Sequence, residues 1–304
     1  MRYDNPKTNF PIWRSMLFVP AHIEKFVDKA HQQGADAYIL DLEDSVPLAE
    51  KAAARQMVGA GAAKVSQSGS AVVVRINHPL RLAIRDLEAV VDRAISTIVI
   101  PKVSQAEQVK AIDSIIEELE TEQSMEPGHT RLIAQIESAD ALPHLDEIAT
   151  SSPRLLGMIL GSEDFSASAG MKPTPKGLFA PNQAVLFACR RAGILPLGFP
   201  ASIADFSDLE KFRAAIKEAQ SLGFVGAFCI HPNQVAILNE AFTPSATELS
   251  HAQRLINAFE KGTTNSFISA SSLFCSIKSS AGWKNLLNSR PICRGIFLPA
   301  RSKA

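Results

Sequence analysis

Eight short runs rich in β-branched and aromatic residues recur along the first 232 residues, and stretches with helical spacing separate them. The runs are SMLFVP (15–20), AYILDLED (37–44), AVVVRIN (71–77), TIVIPKV (97–103), RLIAQIES (131–138), LLGMILGSED (155–164), LPLGFP (195–200) and AFCIHP (227–232). Between them lie EKFVDKAHQQG, AEKAAARQMVGAGAAKV, QAEQVKAIDSIIEELETE, NQAVLFACRRAG and DLEKFRAAIKEAQSLG, several ending in the glycine that commonly stops a helix. Regular alternation of strand and helix implies parallel strands covered by helices, and eight such units in about 250 residues match a (β/α)8 TIM barrel. The alternative, a doubly wound sheet, lacks the GxGxxG turn expected after its first strand.

In such a barrel the chemistry sits where strands end. The second run, in GADAYILDLEDSVP, closes on three carboxylates within four positions, Asp41, Glu43 and Asp44. Strand periodicity puts Ile39, Asp41 and Glu43 on one face and Leu40, Leu42 and Asp44 on the other. A solvated strand end that caps the following helix is the plain alternative, since Asp44 or Ser45 ahead of Pro47 is a normal helix start. The other runs also end on polar residues: Arg75 and Asn77, Lys102, Glu137, Asp164 and His231. Parity aligns Val73, Arg75 and Asn77, then Ile133, Gln135 and Glu137, then Met158, Leu160, Ser162 and Asp164. Repetition on most strands points to one shared mouth. Two carboxylates on neighbouring strands, Glu137 and Asp164, suit a hard divalent cation such as Mg²⁺. The competing arrangement is a buried Glu137–Lys102 ion pair. His231, just before Pro232 and the helix-starting Asn233, reads as structural.

Lys plus Arg and Asp plus Glu number 31 each, which argues against a broad basic surface for nucleic acid. No run nears the roughly 18 apolar residues of a membrane span, and the N-terminus lacks a signal-peptide core, so a cytoplasmic location is expected. Cys189, Cys229, Cys275 and Cys293 form no CxxC pair, and the first two read as small core residues. Glu260 is the last acidic residue, whereas residues 261–304 carry seven Lys or Arg and a serine-rich run. A barrel domain over 1–262 and a weakly ordered basic extension over 263–304 are therefore expected.

The phrases RSMLFVP, GADAYILDLEDSVPLAEKAAAR, VRIN, IVIPKV, IAQIES, LGSEDFSAS and CIHPNQV resemble, in order, the citrate lyase β-subunit-like family of the HpcH/HpaI aldolase superfamily, over about residues 13 to 261. The resemblance implies a Mg²⁺-binding TIM barrel that cleaves or forms carbon–carbon bonds in 3-hydroxyacyl thioesters. Glu137 and Asp164 match the family's metal ligands, Arg75 its substrate-binding arginine, and the acids of DLED a motif at the same mouth. Asp44 is then expected to orient Arg75, and Glu43 to join the hydrogen bonds around the metal. A retro-Claisen cleavage to acetyl-CoA and a 2-oxo acid follows, with Arg14, Lys25 and Lys29 as candidate partners of the CoA phosphates.

Two departures stand out. Ala21 and His22 follow FVP where the family has Gly. The family's C-terminal acid/base aspartate is replaced, in WKNLLNSRPICRG, by Asn288 and Ser289, and residues 263–304 hold no carboxylate side chain and no histidine. The base is then expected from the barrel, Asp41 or Glu43. A homo-oligomer, with a trimer favoured, is implied as well. Three functions stay open: a citramalyl- or malyl-CoA type lyase, the β subunit of a citrate lyase working on an acyl-carrier protein, and a barrel that binds acyl-CoA without cleaving it.

Overall fold

The computed structural model describes residues 10–204 and 206–260. The extension expected over 263–304, with Asn288 and Ser289, lies outside them. The chain divides into two compact units, one up to residue 241 and one from 242 onward. In the second, α10 (Ala246–Glu260) starts at a capping box: Glu248 N–H donates to Ser245 Oγ at 3.2 Å, and the Glu248 carboxylate accepts from Ser245 N–H at 2.8 Å.

The first unit is a barrel of eight parallel strands. They are β1 (Ser15–Pro20), β2 (Ala37–Asp41), β3 (Ala71–Arg75), β4 (Thr97–Ile100), β5 (Arg131–Ile136), β6 (Leu155–Leu160), β7 (Leu195–Leu197) and β8 (Ala227–Cys229), in the order 7-6-5-4-3-2-1-8. Two hydrogen bonds, Gly198 N–H to Gly226 O at 2.9 Å and Val225 N–H to Pro196 O at 3.1 Å, bridge the seam between β7 and the approach to β8. Gly226 has no room for a side chain, since a Cβ there would collide with the Trp13 carbonyl. Covering helices follow the strands: α1 (Glu24–Ala30), α2 (Lys51–Val65), α3 (Leu80–Val90), α4 (Ala106–Glu122), α5 (Leu145–Ala149), the pair α6 (Ser162–Ser168) and α7 (Pro175–Ala192), α8 (Leu209–Leu222) and α9 (Pro232–Ala241). Their ends carry the local signals that set them, such as Thr174 capping Gly177 N–H ahead of Pro175, and Asp208 capping Lys211 N–H.

The barrel interior is filled. Met16, Ile39, Val73, Val99, Ile133 and Ile159 come from successive strands and are buried together, with Trp13 in the same cluster. Burying each such side chain is worth about 1.5–3 kcal/mol, so the lower layers must stay apolar and only the top layer is open to charge. Cys189 and Cys229 are buried thiols, as expected; burial pushes Cys189 up to about 12.

Most strands are shorter than their sequence runs. β6 shows why. Gly161 N–H makes the last rung, to Ile136 O at 2.8 Å, and Phe165 N–H then bonds Gly161 O at 3.0 Å, closing the first turn of α6. Ser162 and Asp164 therefore sit on a helix, and the strand parity drawn through Met158, Leu160, Ser162 and Asp164 does not hold. The polar residues read as strand ends are mostly loop and helix-start residues just beyond the ladder.

Candidate active site

The β2–β3 register sets Asp41 beside Arg75 on the last rung. Arg75 Nε and Nη2 donate to the two Asp41 oxygens at 2.7 Å each, a bidentate pair in which neither residue is more than 7% exposed. Below it, the Phe18 ring centroid lies 4.6 Å from the guanidinium carbon. Asp41 also accepts from Glu43 N–H at 2.9 Å and Ser45 N–H at 3.1 Å, which folds the DLED segment back over the mouth. Burial alone would raise the Asp41 carboxyl, but the hydrogen bonds and charge of Arg75 outweigh it and hold it below the usual range. Asp44, the residue expected to orient Arg75, accepts from its Nη1 at 3.3 Å, while Asp41 grips the guanidinium on two oxygens. Both Asp41 oxygens are occupied, so Asp41 is poorly placed to take a proton.

Lys102 follows β4 with a left-handed φ of 54°. A side chain in that region costs on the order of 1–3 kcal/mol, a strain that collects at functional sites. The turn aims both ends of the residue at carboxylates. Its N–H donates to Glu137 Oε2 at 2.6 Å, and its ammonium lies 2.5 Å from Glu43, 3.2 Å from Asp164 and 3.4 Å from Asp44. The Glu137–Lys102 contact is thus a backbone hydrogen bond rather than the side-chain ion pair considered from the sequence. Burial opposes the Lys102 charge, but Glu43's hydrogen bond and charge outweigh it and push the ammonium up, so it stays protonated. Burial pushes the Glu43 carboxyl up against the pull of Lys102 and Arg75, and Glu43 Oε2 accepts no hydrogen bond.

Glu137 is 5% exposed, and burial raises its carboxyl to about 7. Its Oε1 accepts from Gln135 Nε2 at 2.9 Å. Gly161 makes space for it, since a Cβ there would lie 2.6 Å from Glu137 Cγ. One oxygen each from Asp44, Glu137 and Asp164 lie within 4.8 Å of one another. Three hard oxygen donors, one of them a buried carboxylate short of positive charge, fit a divalent cation. Asp44 thus stands with Glu137 and Asp164, the two residues expected from the sequence to hold a metal; strand parity puts it on the opposite face, and the fold of the loop turns it toward them. The group opens on a cavity of about 390 Å³ that also reaches Arg75 and Phe18.

Lys51, at the start of α2, donates to the Leu42 and Glu43 carbonyls at 2.9 and 2.8 Å and pins the DLED loop. In sequence it reads as one more helix-surface lysine. Other expected residues are placed elsewhere. Arg14 precedes β1 at the opposite end of the barrel, where its guanidinium grips Asp36 at 2.7 Å, so it does not reach the mouth. Lys25 is exposed on α1, beyond the mouth end of β1. Asn77 bonds the buried Asp86 through its amide side chain at 2.7 Å. His231 stacks on Phe206 with ring centroids 4.9 Å apart and accepts from Asn233 N–H at 3.2 Å, a helix-start role.

Residues 14–232 match the family described as HpcH/HpaI aldolase/citrate lyase. The L-malyl-CoA/beta-methylmalyl-CoA lyase of Rhodobacter capsulatus is 36% identical over 271 residues, covering 82% of this chain and 84% of its own length. The citrate lyase subunit beta of Leuconostoc mesenteroides subsp. cremoris is 35% identical over 252 residues, with 82% of each chain covered. Among solved structures, the CitE protein of Mycobacterium tuberculosis, in complex with magnesium, acetoacetate and coenzyme A, superposes with a TM-score of 0.67 at 26% identity, covering 90% of this chain and 99% of that one.

Proposed function

This chain belongs to the HpcH/HpaI aldolase/citrate lyase family and, like its named relatives, is a lyase; from that premise we propose a Mg²⁺-dependent retro-Claisen cleavage of a 3-hydroxyacyl-CoA thioester, of the citramalyl or malyl type, to acetyl-CoA and a 2-oxo acid. The observation that carries the reading is the convergence of Asp44, Glu137 and Asp164 with the anchored Arg75 on one cavity. The magnesium and coenzyme A of the Mycobacterium tuberculosis neighbour support the choice of cation and thioester.

Asp44, Glu137 and Asp164 would hold the ion. When bound, Mg²⁺ supplies Lewis acidity toward the substrate's hydroxyl and carboxylate oxygens and offsets their charge. Glu43 is the proposed base: its carboxyl is raised and one oxygen accepts no hydrogen bond. It takes the hydroxyl proton, the oxygen's electrons form the carbonyl of the 2-oxo acid, and the carbon–carbon bond breaks. The bonding pair moves onto the thioester as an enolate, and a proton delivered to its carbon yields the acetyl thioester. Arg75, held rigid by Asp41, faces the developing negative oxygen. Lys102 stays cationic and keeps Glu43 and Asp164 from repelling one another. Exposed Lys25 remains the proposed contact for a CoA phosphate.

Turnover of citramalyl-CoA and malyl-CoA by the purified chain, with and without Mg²⁺, tests the proposal. Absence of acetyl-CoA from both with Mg²⁺ present would reject it, and dependence on an added acyl-carrier protein would move the chain to the citrate lyase reading.

A further inference from the structure

Two cavities meet at the acidic group. The first, of about 390 Å³, carries the apolar side chains Phe18, Phe199, Ile203 and Phe228 together with Arg75 and Asp44. A second, of about 420 Å³, is lined by His78, Lys102, Ser104, Gln108, Ser138 and Ala167, from the loops after β3, β4 and β5 and from α4 and α6. Glu137 and Asp164 line both. Lys102 borders the second and Asp44 the first, and the ammonium of one lies 3.4 Å from the carboxylate of the other, so the partition is a single layer of charged side chains. The two spaces differ in chemistry: among the described residues, Ala167 is the one apolar side chain on the second. Its wall is held in place, since Gln108 Oε1 accepts from Ser104 N–H at 2.7 Å and from Gln105 N–H at 2.9 Å, which fixes the loop after β4 at the start of α4. His78 and Ala167 are exposed while Glu137 is buried, so this cavity runs from solvent down to the acidic group.

We propose that the second cavity is a separate door for the 2-oxo acid, through which that small anion reaches and leaves the acidic group while a CoA thioester fills the first cavity. Which reactants use the two openings rests on the lyase reading above; the openings themselves do not. Acyl and pantetheine chains gain by leaving water only against apolar walls, and of the two cavities the first offers these. A 2-oxo acid is the reverse case: losing its water without new partners is costly, so its path must offer water, hydroxyls and a cation rather than aliphatic surface. The second cavity supplies all three, with Lys102 and the Ser104 and Ser138 hydroxyls along it and a volume far above the roughly 15 Å³ that admits one water. A thioester in the first cavity would cover the acidic group from that side. Because Glu137 and Asp164 also face the second cavity, an acid held there is not trapped behind it.

The test reads the exchange of pyruvate and of glyoxylate, the 2-oxo acids of the citramalyl and malyl reactions, on the full-length chain loaded with Mn²⁺ in place of Mg²⁺. Paramagnetic relaxation of their carbon-bound protons gives the exchange rate, with and without saturating CoA. CoA is expected to change that rate by less than about twofold, because it leaves the second cavity open. Ala167→Trp and Ser138→Trp, checked for folding by circular dichroism, are expected to slow exchange about tenfold or more with CoA bound and to leave it near the wild-type rate without CoA. A merely structural effect of either tryptophan would not depend on CoA. Wild-type exchange slowed about tenfold by CoA, folded variants that exchange at the wild-type rate under CoA, or failure of both acids or of CoA to bind would overturn the door. Cleavage of a thioester together with CoA-blocked exchange would leave the lyase reading standing without it; free exchange under CoA with cleavage of neither citramalyl-CoA nor malyl-CoA would sink the lyase reading and leave the door. If neither variant folds, the wild-type comparison decides.

Discussion

Glu137→Gln should make the metal-free protein more stable. Burial raises the Glu137 carboxyl to about 7 from an ordinary value of 4.5. Between those values the folded state keeps a proton that the unfolded state has released, so stability falls as pH rises through this window. The penalty is absent below about pH 4.5 and complete above pH 7. A shift of about 2.5 units corresponds to about 3 kcal/mol at 1.36 kcal/mol per unit. Glutamine removes the charge and keeps the shape. Its carbonyl oxygen can still accept from Lys102 N–H, and Gln135, whose Oε1 accepts nothing at present, can turn its amide to receive the new N–H₂. Allowing for imperfect replacement, a gain of about 2 kcal/mol at pH 8 is expected, or about 4–8 °C in melting temperature for a domain of this size.

The assay is thermal or urea unfolding of both proteins in EDTA from pH 5 to pH 8, repeated with Mg²⁺. Wild type and Glu137→Gln should converge near pH 5 and separate toward pH 8, with the variant more stable. Mg²⁺ should restore the wild type, because it supplies the missing positive charge, and should do little for the variant. A variant less stable than wild type at pH 8 in EDTA, or a gap independent of pH, would refute the reasoning.

Asp164→Ala is expected to abolish Mg²⁺-dependent turnover with the fold intact, since its side chain is 44% exposed at the mouth; activity titrated against Mg²⁺ checks this. Arg75→Lys should lose about 10²–10³ in kcat, because an ammonium cannot reproduce the two-oxygen grip on Asp41 while facing the substrate; near-normal turnover would place Arg75 outside the reaction. Glu43→Gln should lower kcat by about 10²–10⁴ and flatten the acid limb of the pH–rate profile, the signature of a lost general base; a retained acid limb would assign the proton to another group. Truncation after Lys261 should preserve most of kcat if Glu43 is the base, and a large fall with the oligomeric state unchanged by light scattering would place a needed group in the removed segment.

The barrel was legible because its signal is local and repeated. Eight apolar runs separated by helical spacing leave few ways to bury every strand on both faces, and parallel strands with covering helices satisfy them all. Arg75 and Glu137 were legible as residues of the mouth for a related reason: each ends or directly follows a strand whose lower residues, Val73 and Ile133, are locked into the core, so parity carries its direction to the cavity. That logic fails once the ladder stops. Asp44 and Asp164 lie past the last rungs, and whether they face inward depends on Asp41 gathering Ser45 N–H and on the turn at Gly161, both contacts made only after folding. The same holds for Lys102, whose left-handed φ no residue type announces, and for Lys51, which matters through two carbonyls eight and nine residues back. Arg14 shows the converse. It is near in sequence to the first strand's mouth, yet a parallel strand separates its two ends by its full length, and Arg14 stands at the wrong one. Periodicity determines which face a residue takes while the backbone stays regular; the tertiary structure alone decides which charges share a cavity, because hydrogen bonds between distant segments set the loops that hold them.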